Sequence, residues 1–280
     1  MTEWKLGQAY SHAEGLVRHD VRGSGPPLVL VHGTPWSSFN WRHVITPLAD
    51  WFTVYFYDMI GYGSSEKREG QDVSLAVQNR LLAELLDHWA LASPAIVGHD
   101  FGGTTVLRAH LLGQRPFRKM VLIDPVAVSP WGSPFFQLVN QNEEVFRDVP
   151  AEIHEAIVSA YVQGATYKPM TAETLAGTVA PWLGAAGQGA FYRQIAQARQ
   201  QYTDEVEPLY DRILCPLLIV WGEEDAWIPL EKGRQLHAAA PHSEFATVAG
   251  AGHLVQEDEP ATLLSLLLRF LATMALLVVL

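Results

Sequence analysis

Short apolar runs rich in Val, Ile and Leu recur along this chain and alternate with longer stretches of helical spacing. The runs predict strands at Leu28–Val31, Thr53–Tyr57, Ala95–Gly98, Met120–Ile123, Leu217–Trp221 and Glu244–Val248. Between the second and third runs, Leu75, Leu81, Leu82, Leu85, Leu86 and Trp89 make one helix face, and residues 102–112 predict a helix directly after the third run. Such alternation is the mark of a mostly parallel sheet covered by helices. It breaks after Asp124-Pro125. From about Val126 to Glu207 the pattern is helical throughout, with Ile153, Ile157 and Tyr161 at fourfold spacing. Prolines punctuate that stretch, and Gly184–Gly189 reads as a flexible connection. Strand-like sequence resumes at Leu217. The division predicts a core built from residues 1–125 and 208–271 and a helical cap over 126–207. Such an insertion is expected above the C-terminal edge of the sheet, where open α/β sheets bind ligands.

The end of the chain changes this picture a little. Residues 261–280 carry a single charge, Arg269, in a length close to the roughly 20 residues that span a bilayer. Leu263, Leu264, Leu267, Leu268 and Leu271 nevertheless follow helical spacing, which predicts a last core helix ending near Leu271 and an apolar tail over 272–280. The 280 residues, 49% hydrophobic and 18% charged, suit one large core with an insertion. A net charge of −11 disfavours nucleic acid and anionic membrane as partners, since those surfaces would repel it. Cys215 is the single cysteine, so no intramolecular disulfide forms, and the histidines show no zinc-ligand spacing with it. No metal or cofactor is expected. The opening Met1-Thr2-Glu3-Trp4-Lys5 lacks a basic segment followed by an apolar one, which points to a cytoplasmic setting.

Candidate chemistry gathers at four predicted strand ends. Val31-His32-Gly33-Thr34-Pro35 follows the first strand, and Gly98-His99-Asp100-Phe101-Gly102 follows the third. Trp221-Gly222-Glu223-Glu224-Asp225 and Gly250-Ala251-Gly252-His253 follow the last two. The second of these has the outline of the G-x-S-x-G elbow, where a sharp strand-to-helix turn exposes a nucleophile, with Asp100 in place of serine. An aspartate between glycines is also an ordinary turn former, but the strand-turn-helix setting favours the nucleophile. A carboxylate attacking an ester would produce an anhydride, which disfavours serine-type acyl transfer. A carboxylate displacing a leaving group from saturated carbon gives an alkyl ester that water can hydrolyse.

In the order nucleophile, acid, histidine the chain resembles the α/β-hydrolases over essentially residues 5–271, with Asp58-Met59-Ile60-Gly61-Tyr62-Gly63-Ser64 as a further point of likeness. The resemblance implies an α/β-hydrolase fold, a mostly parallel sheet flanked by helices with an inserted helical lid. It casts Asp100 as nucleophile, His253 as the base that activates water, and Asp225 as the acid that orients the imidazole. The backbone amides of Thr34 and Phe101 become an oxyanion hole. Asp124 competes for the acid position because some aspartate-nucleophile relatives carry their acid after the earlier strand, and Glu223 and Glu224 stand beside Asp225. His32 and His99 flank the site as structural residues, while His88, His110, His154 and His237 fall in helical stretches and read as packing or surface residues.

The aspartate elbow resembles haloalkane dehalogenases, fluoroacetate dehalogenases and epoxide hydrolases, which differ in what their leaving groups require. Haloalkane dehalogenases commonly place tryptophan after the nucleophile and asparagine after His-Gly, where this chain has Phe101 and Thr34. The stretch 32–42 still resembles theirs, and Trp36, Trp131 or Trp182 could supply an indole N–H. Fluoroacetate dehalogenases carry arginine where Phe101 stands, which disfavours a haloacid. Epoxide hydrolases use lid tyrosines, one in an aromatic-Tyr-Arg segment that Phe191-Tyr192-Arg193 resembles, so Tyr192 is the expected acid. For a second phenol, Pro134-Phe135-Phe136-Gln137-Leu138 offers only phenylalanine, leaving Tyr161 or Tyr167. Trp36 and Phe136 are expected to line an apolar pocket for a small organic substrate. Epoxide hydrolysis therefore leads, dehalogenation follows, and a ligand-binding protein without turnover is the remaining reading.

Overall fold

The computed structural model describes residues 4–272. Its strands are β1 Gln8–His12, β2 Gly15–Arg22, β3 Pro27–Val31, β4 Thr53–Tyr57, β5 Ala95–His99, β6 Lys119–Ile123, β7 Leu217–Gly222 and β8 Ser243–Val248. Helices α1 Arg42–Ala49, α2 Leu75–His88 and α3 Phe101–Leu111 lie among the first six strands. Between β6 and β7 run α4 Pro134–Gln141, α5 Glu143–Arg147, α6 Ala151–Gln163, α7 Ala172–Val179, α8 Gly184–Ala196 and α9 Gln201–Asp204. The chain closes with α10 Leu230–Ala239, α11 Val255–Asp258 and α12 Pro260–Ala272. No helix among the described residues is long and apolar enough to cross a membrane. The tail expected over 272–280 lies, beyond Ala272, outside the described residues.

One eight-stranded sheet runs in the order β1-β2-β4-β3-β5-β6-β7-β8. From β4 to β8 neighbours pair in parallel, and β1 and β2 add an antiparallel hairpin at one edge. That hairpin is absent from the apolar pattern because β1 is largely exposed and β2, half-buried, mixes charged with apolar residues. The central strands β5, β6 and β7 are buried at every position, as parallel strands covered on both faces must be. Alternate side chains serve opposite faces. In β3, Leu28 and Leu30 pack with Val44, Ile45 and Leu48 of α1 and Leu263 and Leu267 of α12. Val29 and Val31 join the other core, with Leu81, Leu82 and Leu85 of α2 and Val106 and Leu107 of α3.

The 134–212 excursion packs into this second core through Val158, Val162, Trp182 and Phe191. The helix expected around Ile153, Ile157 and Tyr161 is α6, whose buried stripe is His154, Val158 and Val162, with Ile153 exposed. One expectation about the excursion is corrected. The glycine-rich 184–189 stretch is the first turns of α8, and Gly187 lets that helix rest on the Trp182 backbone. A Cβ there would come within 2.5 Å of the Trp182 carbonyl carbon.

The sheet order reverses at β3, which pairs with β4 on one side and β5 on the other. The loops leaving the C-terminal ends of β3 and β5 therefore diverge and leave a crevice between them, the switch point of an open α/β sheet. Thr34 and Asp100 sit on those two loops.

Candidate active site

Asp100 joins β5 to α3 with φ 54° and ψ −123°, a backbone conformation unfavourable for any side chain. Its N–H donates to Ile123 O at 3.2 Å, and its carbonyl accepts from Gly103 N–H at 2.9 Å. The turn is this tight because its neighbours lack side chains. A Cβ on Gly102 would lie 2.2 Å from Val31 O, and one on Gly33 would lie 2.3 Å from Asp100 Oδ1. The carboxylate is thereby lifted to the mouth of the crevice.

Asp100 Oδ1 accepts a 2.6 Å hydrogen bond from Thr34 N–H, while Oδ2 lies 3.3 Å from His253 Nε2 in an ion-pair contact. His253 Nδ1 is 2.9 Å from Asp225 Oδ2. The other Asp225 oxygen accepts from Trp227 N–H at 2.7 Å and Ile228 N–H at 2.8 Å, so the loop after β7 clamps the acid in one orientation. Asp100, His253 and Asp225 thus form one contiguous, nearly solvent-free set. Phe101 opens α3, so its N–H is among the first-turn amides that have no intrahelical partner.

Burial alone disfavours a proton on His253, but the carboxylates of Asp225 and Asp100 outweigh it and raise its pKa well above 6.5. Asp124 ends β6 in the same interior. It accepts from Gly222 N–H at 2.9 Å and makes no bond to His253. Burial first, and the adjacent Asp225 charge second, push its pKa well above the usual carboxylate range. His99 donates Nε2–H to His253 O at 2.8 Å, and burial with the neighbouring His253 pushes it down to about 3. His32 donates Nδ1–H to Gly33 O at 2.8 Å and accepts from Met59 N–H at 2.9 Å. Both histidines are neutral struts, with their tautomers set by carbonyl acceptors.

A narrow cavity of about 40 Å³ opens above Asp100. Phe101, Val126, Trp131, Phe136, Trp227 and Ile228 supply its apolar wall, while Thr34, Ser133 and Tyr161 add polar atoms. Phe136 is therefore placed as expected, edge-on to Phe101 at 6.2 Å.

Tyr192 is not. It is fully buried within the excursion, and its hydroxyl meets His154 Nδ1 at 2.9 Å. Because His154 Nε2 faces the Trp182 carbonyl at 2.9 Å, Nε2 carries the proton and the Tyr192 hydroxyl must donate to Nδ1. That proton is committed away from Asp100. Replacing Tyr192 by phenylalanine is accordingly expected to cost roughly 1–3 kcal/mol of stability, through the orphaned His154 nitrogen, and to change turnover less than twofold. Denaturant titration and steady-state kinetics check both.

Trp36 also departs from expectation, lying buried behind the cavity and stacked on Trp227 at 5.5 Å. The Trp131 indole N–H is taken by Thr203 Oγ1 and that of Trp182 by Pro35 O, each at 2.8 Å. Tyr167 is exposed on the surface. Tyr161, from α6, is the phenol that shares the cavity with Asp100, and no group among the described residues engages its hydroxyl. Burial first, and the Asp100 charge second, raise its pKa, so it holds its proton at neutral pH. The fourfold spacing through Tyr161 marked a helix but not which face lines the cavity at Asp100. Gln194 had no sequence signal either. Its side-chain oxygen accepts from Thr34 Oγ1–H and, at 3.2 Å, from the Tyr62 hydroxyl, tying α8 to the loop after β3.

A strand-order switch point, an elbow nucleophile position and a histidine-acid pair after the last strands together define a hydrolase of the α/β class. The chain belongs to the alpha/beta hydrolase fold family, whose profile matches residues 26–260. An alpha/beta hydrolase fold protein from Burkholderia ambifaria, solved by crystallography, is 44% identical with a TM-score of 0.93, covering 95% of this chain and 98% of that one. The 2-hydroxy-6-oxo-2,4-heptadienoate hydrolase of Pseudomonas putida (strain F1) is 29% identical over 91% of each chain. Haloalkane dehalogenase 2 of Mycobacterium tuberculosis (strain H37Rv) is 26% identical over 90% of each.

Proposed function

We propose that this protein is an aspartate-nucleophile hydrolase that opens small apolar epoxides through an alkyl-enzyme ester. The observation that carries this reading is the uncommitted Tyr161 phenol in the same cavity as Asp100; the indole N–H groups of Trp131 and Trp182 are already bonded elsewhere, and the unpartnered Trp36 N–H belongs to a ring outside the cavity wall. A halide leaves as a diffuse anion served by N–H donors. An epoxide oxygen leaves as an alkoxide and needs a proton.

Thr34 N–H holds Asp100 Oδ1, which leaves Oδ2 to attack the ring carbon. The carbon–oxygen bond breaks, and the ring oxygen takes the Tyr161 proton to become a hydroxyl. Esterification removes the Asp100 charge, one of the two carboxylates that held the His253 proton affinity up. The imidazole then releases its proton to solvent and becomes a base. It takes a proton from water as that water adds to the ester carbonyl carbon, and charge develops on Oδ1, where Thr34 N–H already points and Phe101 N–H adds a second donor. Collapse releases the diol, restores the carboxylate, and returns a proton to Tyr161 through water. Asp225 stabilises the imidazolium without itself taking the proton.

The apolar wall and the lack of any cationic side chain at the cavity favour a neutral substrate that fits a small space. The test is product analysis with styrene oxide and 1-bromobutane side by side. Diol formation is expected, falling about 100-fold in Tyr161→Phe. Bromide release without diol, undiminished in that variant, would replace this reading with dehalogenation. Tight binding of either compound with no product would replace it with a binding role.

A further inference from the structure

Trp227 sits at the junction of the triad and the cavity. Its ring lies 5.2 Å from that of His253 at an interplanar angle of 26°, and 4.4 Å from that of Tyr161 at 24°. Trp36 stacks on it as well, at 5.5 Å and 22°. Its backbone N–H donates to Asp225 Oδ1, so the loop that fixes the acid also fixes the indole. One aromatic plane therefore contacts the group that gives a proton in the first step and the group that takes one in the second.

We propose that Trp227 is a positioning residue for both proton-handling groups, its face stabilising the His253 imidazolium and its stacking holding Tyr161 over Asp100. The inference rests on the roles given above to His253 and Tyr161. An imidazolium against an indole face gains electrostatic attraction from the ring quadrupole, and this attraction is stronger where water is excluded. His253 is fully buried. The other groups facing it are Asp225 and Asp100 on its two nitrogens, His99 of β5 with its ring 4.9 Å away, and Asp124 after β6. None of these contacts involves the Trp227 side chain. The hydrogen bond to Asp225 is made by the backbone and survives substitution, so a side-chain variant isolates the contribution of the face.

The test is the titration of His253 in the resting protein by NMR of ¹⁵N-histidine-labelled samples, with its signal assigned by its loss in His253→Gln. In Trp227→Leu the imidazolium is expected to titrate about 0.5–1 pH unit lower than in the unaltered protein. Trp227→Phe keeps an aromatic face and is expected to restore most of that difference. Trp227→Met, which fills more of the space, serves where the leucine variant does not fold. Diol formation from styrene oxide is expected to fall about tenfold in kcat/KM in Trp227→Leu and to recover in Trp227→Phe, because Tyr161 loses and regains its stacked partner. Unchanged or upward titration in both aliphatic variants overturns the proposal. If no ester ever forms on Asp100, the reaction scheme falls, yet the titration of the resting protein still decides whether the indole stabilises the imidazolium.

Discussion

Replacing His253 by glutamine is expected to stop turnover after one event and leave the substrate bonded to Asp100. The first step needs only the carboxylate and the Tyr161 proton, whereas hydrolysis of the ester needs a base within reach of its carbonyl carbon. Glutamine cannot take that proton, and a lost general base costs about 10²–10⁴-fold. Intact-mass spectrometry of the variant after incubation with styrene oxide is expected to show one added substrate mass, mapped by peptide analysis to Asp100. The unaltered protein is expected to show little adduct at neutral pH and more as the pH falls. The sign follows from the base: below the pKa of His253 in the ester, the imidazole is protonated and cannot activate water. An adduct on another residue, or full turnover in Asp100→Ala, contradicts the nucleophile assignment.

The two buried acids give the second large contrast. Asp225→Asn is expected to lower turnover about 10⁴-fold, because an amide in that place neither fixes the imidazole tautomer nor balances the imidazolium. Asp124→Asn is expected to cost less than tenfold. Asp124 touches Gly222 N–H rather than His253, and burial with the nearby Asp225 charge favours its protonated form, which asparagine imitates. Its linkage to stability has a definite sign. A carboxyl whose pKa is raised on folding stabilises the fold below its unfolded value, and that contribution is lost as pH rises through the raised one. Asp124→Asn is therefore expected to lose less stability than the unaltered protein as pH rises from about 4, the unfolded carboxyl value, measured by denaturant midpoints. Equal losses of turnover in the two variants would move the acid's role onto the pair.

Much of this site was legible in the chain. Asp100, His253 and Asp225 each follow an apolar strand, and strand ends in a parallel sheet share one edge, so their meeting there follows from local pattern and chain order. The apolar runs of β5, β6 and β7 are unbroken because both faces of those strands are covered. The hairpin β1-β2 escaped notice for the opposite reason, since an exposed edge leaves no apolar signature. The choice between Asp225 and Asp124 was open in the sequence because both stand at the same sheet edge, and only the contact with His253 Nδ1 separates them.

The helical excursion was legible as helices and little more. Phe191-Tyr192-Arg193 has the expected outline, but α8 turns Tyr192 onto His154 rather than toward Asp100. Tyr161, which carries no such outline, is brought to the cavity by α6, and Trp227 is brought onto it by the loop that clamps Asp225.

By itself, the sequence determined that an aspartate stands at the elbow, with a histidine and an acid at other strand ends of the same edge, since strand-end positions follow from the apolar runs and from chain order. Only the tertiary structure decided which phenol lines the cavity that holds that aspartate. A helix presents side chains every 100° around its axis, and which of them reaches that cavity depends on how α6 and α8 pack, not on their spacing.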